Sequence, residues 1–165
     1  MRVNRILRHL LRPHWWTLRV FPKAARRAIE QAITASECLH QAELRFVVEA
    51  GLPIRGLLRD QSSRQRAIEL FAQLGVWDTE HNSGVLIYVQ LIDRRVEIVA
   101  DRGINVRVGE VFWNAACRRM EEAFAAGHFE SGALLALNDI TATLAEHFPA
   151  CGDNPDELPN APLVR

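Results

Sequence analysis

The sequence predicts an α/β chain, a three-layer α/β/α sandwich around a small mixed β-sheet. Three observations carry this. Residues 85–91 (VLIYVQL) and 96–100 (VEIVA) are apolar runs separated by Asp93-Arg94, the pattern of a hairpin. Glu43–Glu49 (ELRFVVE) is a third β-rich segment, with Leu44, Phe46 and Val48 at alternate positions. Segments of helical period surround these runs and outnumber them, enough to cover both faces of a sheet.

Taken in order, residues 1–20 place Ile6, Leu7, Leu10 and Leu11 against Arg2, Arg5, Arg8 and Arg12, followed by Trp15 and Trp16 after Pro13. Such a short basic amphipathic helix can lie on an anionic membrane surface; the plainer reading packs its apolar side on the body or on a second subunit. Pro22 suits the first position of the next helix, and Ala25, Ile29, Ala32, Ile33 and Ser36 extend it over residues 23–39. The Glu43–Glu49 strand ends at Gly51 and Pro53, and a loop follows. Ser62-x-x-Gln65 has the capping-box pattern, with Ala67, Leu70, Phe71 and Leu74 as the buried stripe behind it and Gly75 as the stop.

After the turn-rich residues 78–84, the near-continuous 85–91 run suits a central strand covered on both faces. The 96–100 run alternates with Arg95 and Glu97, which suits an edge strand. Val108, Phe112, Ala116, Met120 and Phe124 step by four through a helix at 108–126, and a second helix covers 131–147. Trp77 and Trp113 read as core. From Pro149 the chain is proline-rich and aperiodic, the pattern of a loose tail. The expected organisation is a basic arm at 1–21, a domain at 22–149 and a flexible tail at 150–165.

Charge and composition narrow the function classes. The net charge is zero, so no nucleic-acid partner is expected, yet residues 1–29 hold eight Lys/Arg and no acid. A basic arm thus sits on an acidic body, and peripheral contact with an anionic membrane through residues 1–20 is one expectation. An acid-free, Arg-rich start also fits an organelle transit peptide. Cys38, Cys117 and Cys151 form no C-x-x-C pair, which suits a reducing, cytoplasmic location. Cys117 reads as a core residue. No apolar run reaches the ~18 residues of a membrane span. P-loop, dinucleotide, nucleophile-elbow, zinc-peptidase and EF-hand motifs are all missing, so no nucleotide cofactor is expected.

One constellation emerges from topology. A strand, a crossover helix and a second strand usually make a parallel pair. Glu43–Glu49 and the 85–91 run would then start at the same sheet edge, and the antiparallel return would bring Asp101 back to it. Glu37, His40 and Glu43 enter there, as do Asp78, Glu80, His81 and Asn82. Glu37, Glu43, Asp78, Glu80, Asn82 and Asp101 are therefore the candidate ligands of a hard cation, Ca2+ or Mg2+. The plainer reading keeps them as ordinary loop-end charges, with Asp101 only capping the turn before Gly103 and both histidines only hydrogen-bonded or exposed. Arg94 and Arg95 at the hairpin tip can meet an anion, or simply keep an exposed turn soluble.

Several segments resemble the TPM domain family: Ala35-Ser36-Glu37-x-x-His40-x-x-Glu43-Leu-Arg-Phe, Phe71-x-x-Leu74-Gly-Val-Trp77, Asn82-Ser-Gly-Val-Leu-Ile-Tyr and Val96-Glu-Ile-Val-Ala-Asp101-Arg-Gly-Ile. Trp113, Met120, Gly127-His-Phe and Gly132 fit the same pattern, so the resemblance spans about residues 22–149. It implies an α/β/α sandwich. It also implies the company of thylakoid-lumen proteins of photosystem II repair with acid phosphatase activity, of calcium-binding bacterial proteins, and of an animal accessory protein of acetylcholine receptors. Many bacterial members carry a signal peptide, a transmembrane helix and a Gly-rich tail; this chain shows none of them and reads as a stand-alone variant. Glu37, Glu43 and Asp101 are the site residues that the resemblance carries over. The leading expectation is an accessory or binding domain that takes a divalent cation at the acidic edge and acts through a protein or membrane partner. A weak metal-assisted phosphatase and a purely structural interaction domain are the alternatives.

Overall fold

A computed structural model describes residue 5, residues 7–9, residues 15–151 and residues 157–165. The elements run α1 (Trp15–Val20), α2 (Lys23–Glu37), β1 (Glu43–Glu49), α3 (Ile54–Leu58), α4 (Ser63–Gln73), β2 (Gly84–Gln90), β3 (Arg95–Ala100), α5 (Arg102–Val108), α6 (Glu110–Ala125), α7 (Phe129–His147) and β4 (Leu163–Val164). The strands form one mixed sheet in the order β3-β2-β1-β4. β1 is parallel to β2 and to β4, and β2 is antiparallel to β3. The expected parallel pair, central β2 and edge β3 are all present.

Strand periodicity sorts the core into two halves. Leu44, Phe46 and Val48 of β1, Val85, Ile87 and Val89 of β2 and Val96 and Ile98 of β3 face one side, against α2, α6 and α7. Val47, Leu86, Tyr88 and Val99 face the other, against Ala67 and Leu70 of α4. This is the three-layer α/β/α sandwich. The capping box at Ser62 and Gln65 starts α4, with both reciprocal hydrogen bonds formed. Gly84 is obligatory at the head of β2, because a Cβ there would stand 1.8 Å from the Val76 carbonyl oxygen.

Several boundaries differ from expectation. The helix expected at 23–39 ends at Glu37. The helix expected at 108–126 starts at Glu110, because Gly109 turns the backbone to φ +83 and splits off α5. The loop after Pro53 contains the short α3. Trp77, expected in the core, is 53% exposed on the turn after α4, whereas Trp113 is buried as expected. Of the expected N-terminal helix, Arg5 and residues 7–9 are helical; Ile6, Leu10, Leu11, Arg2, Arg12 and Pro13 lie outside the described residues. The tail is not loose where it is described, since Leu163 and Val164 pair with Val47 and Val48 of β1. Residues 152–156 lie outside the description.

Two ionisable side chains on the fully buried β1, Arg45 and Glu49, explain how the tail and α4 dock. Arg45 donates to the carbonyls of Pro159 and of Ala161, the latter at 2.7 Å. Glu49 receives a bidentate Arg66 guanidinium at 2.6 and 3.0 Å and the Tyr88 hydroxyl at 2.9 Å, all inside the α4 layer. Burial and the adjacent Glu49 carboxylate push the Tyr88 phenol up, and the same carboxylate raises Arg66. The exposed edge of β3 is blunted in a similar way: Glu121 accepts the Val96 N–H at 3.0 Å and Arg64 donates to the Ile98 carbonyl at 2.5 Å.

A second polar cluster pins the N-terminal segment. Leu52 donates its N–H to His9 Nδ1 at 2.9 Å, so the ring proton sits on Nε2 and points to Asp93 Oδ1 at 3.2 Å. Arg5 grips the other Asp93 oxygen at 2.8 and 3.1 Å and donates to the Gln61 carbonyl at 3.0 Å. Burial holds His9 below its usual range. His40, fully buried beside the bridge to Pro149, is lowered to about 4 by the same cause.

Two predictions follow from these buried groups. Arg66→Met leaves Glu49 as an uncompensated buried charge and should cost about 3–5 kcal/mol in urea denaturation, with Tyr88→Phe costing about 1–2 kcal/mol. A loss under about 1 kcal/mol for Arg66→Met would remove the ion pair from the list of structural determinants. Both histidines are neutral when folded and take up protons near 6.5 when unfolded. Their contribution is therefore complete above that value and is lost as pH falls toward the folded pKa. For His40 the window is 6.5 down to about 4, worth about 2 kcal/mol between pH 7.5 and 5. His40→Gln should flatten that slope; an unchanged slope would place its origin elsewhere.

Candidate functional site

The predicted edge assembles. Glu43 pairs in register with Gly84, and Val85 with Ala100. The Asp101 N–H donates to the Gly84 carbonyl at 2.8 Å, and the Glu43 N–H to the Ser83 carbonyl at 3.1 Å. The Asn82 carbonyl lies 3.2 Å from where a Cβ on Gly103 would stand. The Asn-Ser-Gly and Asp-Arg-Gly stretches at opposite ends of the hairpin sequence thus meet.

The six candidate ligands divide into two groups. Glu37 and Glu43 are buried and tied to backbone donors. Glu37 Oε1 accepts the Leu44 N–H at 3.3 Å, which locks the α2–β1 connection. Glu43 Oε2 accepts the N–H groups of Glu157 and Leu158 at 3.3 and 3.2 Å, which closes the tail over the start of β1. Asp78, Glu80 and Asn82 are exposed on the α4–β2 loop, and Asp101 is half-buried beside them. Asp101 caps α5 by accepting the Arg102 N–H at 2.6 Å, so the plainer reading of this residue is structurally real.

Local chemistry shapes the loop. Asn82 adopts φ +50, a left-handed conformation that asparagine tolerates. Its N–H reaches the Thr79 carbonyl at 3.1 Å, and the Thr79 hydroxyl accepts the Ser83 N–H at 2.8 Å. The Glu80 N–H is held at 3.1 Å by both oxygens of Glu157. Of the two histidines, His40 is sealed inside and neutral, while His81 is exposed. Among the described residues, no three His, Cys, Asp or Glu side chains converge closely enough to hold a metal ion. The edge therefore offers carboxylates and carbonyls from two loops rather than a finished cage.

Glu157 and Leu158 are members of this edge that sequence reasoning missed. The only signal for them was a short apolar ending, Leu158 and Leu163-Val164, too brief to show a period. Cys117 lies half-buried on α6, and burial pushes its thiol up to about 12, which removes it as a nucleophile at neutral pH.

Comparison with known proteins agrees with the geometry. No curated protein matches the chain. Among solved structures, the NMR structure of the BA42 protein from the psychrophilic bacterium Bizionia argentinensis superposes with a TM-score of 0.74 at 31% identity, covering 85% of this chain and 92% of that one. The family model described as the TPM domain matches residues 18–143, from α1 into α7 and across β1, β2 and β3. The chain belongs to the TPM domain family.

Proposed function

We propose that this TPM domain is a binding module whose working surface is the sheet edge where β1 and β2 begin. It takes a hard divalent cation, calcium in the first instance, through oxygens of the exposed Asp78, Glu80 and Asn82 and of the half-buried Asp101. The observation that supports this reading is the meeting of the α4–β2 loop with the β3–α5 junction, which puts Asn82 against Gly103 and the Asp101 N–H on Gly84. Calcium accepts six to eight oxygens in adaptable geometry, including carbonyls and waters, so two loops that shift toward each other can complete a shell. Glu37 and Glu43 act behind this surface. Their oxygens hold Leu44 and the tail, and so position the loops instead of ligating.

Phosphate-monoester hydrolysis has less support. It needs a base or metal-bound water beside a substrate site, whereas Asp101 caps a helix and Glu43 holds backbone N–H groups. The partner surface is supported by a different observation: Leu7, Trp15 and Leu18 are exposed on the N-terminal segment near Arg8 and Arg19. This combination suits an anionic membrane surface. Among the described residues no helix is long and apolar enough to cross a membrane.

Calcium titration followed by amide NMR should shift residues 78–84 and 101–103. Asp101→Asn keeps a good N-cap but removes the charge, and with Asp78→Asn it should weaken binding about tenfold or more. A titration that moves none of these amides, or an affinity indifferent to both changes, would end the cation reading. Co-sedimentation with vesicles containing phosphatidylserine should fall severalfold in Trp15→Ala/Leu18→Ala; equal pelleting of both proteins would detach the arm from membranes.

A further inference from the structure

The opposite end of the sheet carries a cleft that the cation reading does not use. It opens at the carboxyl end of β2, between the β2–β3 hairpin tip, the α6–α7 junction and the N-terminal segment, with a volume of about 400 Å3. Open α/β sheets take their ligands outside the carboxyl ends of parallel strands. Small-molecule pockets start at roughly 300 Å3.

The wall of the cleft is aromatic. Trp16, Phe124 and Phe129 line it, the two phenylalanines stacked with centroids 5.2 Å apart. Among the described residues, the charged lining is Arg8, Arg94 and Arg95 against Asp93 and Glu121. Both carboxylates are engaged: Asp93 by Arg5 and His9, and Glu121 by the Val96 N–H at 3.0 Å and by Arg95 at 3.8 Å. Arg8 and Arg94 are exposed and form no ion pair with any described residue. Arg94 is held at the tip in a left-handed conformation, φ +53, that carries its side chain on a fixed turn.

We infer that this cleft binds a small organic monoanion, an aromatic or branched apolar carboxylate. The body of the ligand lies against Trp16, Phe124 and Phe129, and its carboxylate meets the guanidinium forks of Arg94 and Arg8. A planar fork matches a carboxylate in shape, and an aromatic wall excludes water from one side of the pair. Arg8 and Trp16 come from the N-terminal segment, so the Arg5–His9–Asp93 cluster that docks this segment also builds the cleft.

The test uses the full chain and 2-naphthoate as probe, followed by amide NMR. Saturable shifts are expected at residues 90–96 and 124–129. Arg94→Asn, which keeps a residue tolerant of the left-handed turn, combined with Arg8→Gln should weaken binding about tenfold or more. The neutral isostere 2-naphthalenemethanol should bind at least about tenfold more weakly than the carboxylate. The inference is overturned by any of three results: no saturable shift up to about 5 mM probe, equal binding of the neutral alcohol, or an affinity that the double variant leaves unchanged.

Discussion

β1 is a strand with no exposed face that nevertheless carries Glu43, Arg45 and Glu49. A buried charge without a partner costs several kcal/mol, so each of these residues dictates what must cover it. Glu43 requires donors and receives the N–H groups of Glu157 and Leu158. Arg45 requires acceptors and receives the carbonyls of Pro159 and Ala161. Glu49 requires a cation and receives Arg66 from α4, with Tyr88 as a second donor. The tail, β4 and the position of α4 all follow from satisfying one strand. Leu44, Phe46 and Val48 meanwhile supply the apolar side that faces α2 and α7.

The same constraint separates the two ends of the sheet. At the start of β1 and β2, the buried Glu37 and Glu43 accept backbone N–H groups, whereas Asp78, Glu80 and Asn82 are exposed and Asp101 is half-buried. That edge is acidic and built from loops. At the other end, the hairpin tip presents arginines over an aromatic wall, and the carboxylates there are already paired. The cation proposed for the first surface and the organic anion proposed for the second would therefore occupy opposite ends of the sheet.

Buried neutral histidines link these surfaces to pH. His9 holds the N-terminal segment through Leu52 and Asp93, and His40 sits under the turn that leads to Glu43. Burial disfavours the charged form of both. Protonation of either ring therefore opposes the packing around it, at the docked N-terminal segment for His9 and beside the acidic edge for His40.

Local chemistry made much of this legible. The capping box at Ser62, the hairpin runs and the helical steps of α2, α6 and α7 are patterns within a dozen residues, and each formed close to where it was read. The convergence of Asn82, Gly84 and Asp101 was also legible, because strand direction follows from connection rules. Trp77 and the tail were not. The alternation of β1 marked one side as polar, and a polar side ordinarily faces water. Its covering comes from residues 157–164, more than a hundred positions away and without a period of their own. The sequence by itself determined β1, β2 and β3, the helices α2, α4, α6 and α7, their order and the sandwich, since these rest on local periodicity and strand connection. Only the tertiary structure decided which charges are buried, which carboxylates are tied to backbone donors and which arginines form no ion pair with a described residue. Those outcomes depend on partners that distant segments bring to a side chain.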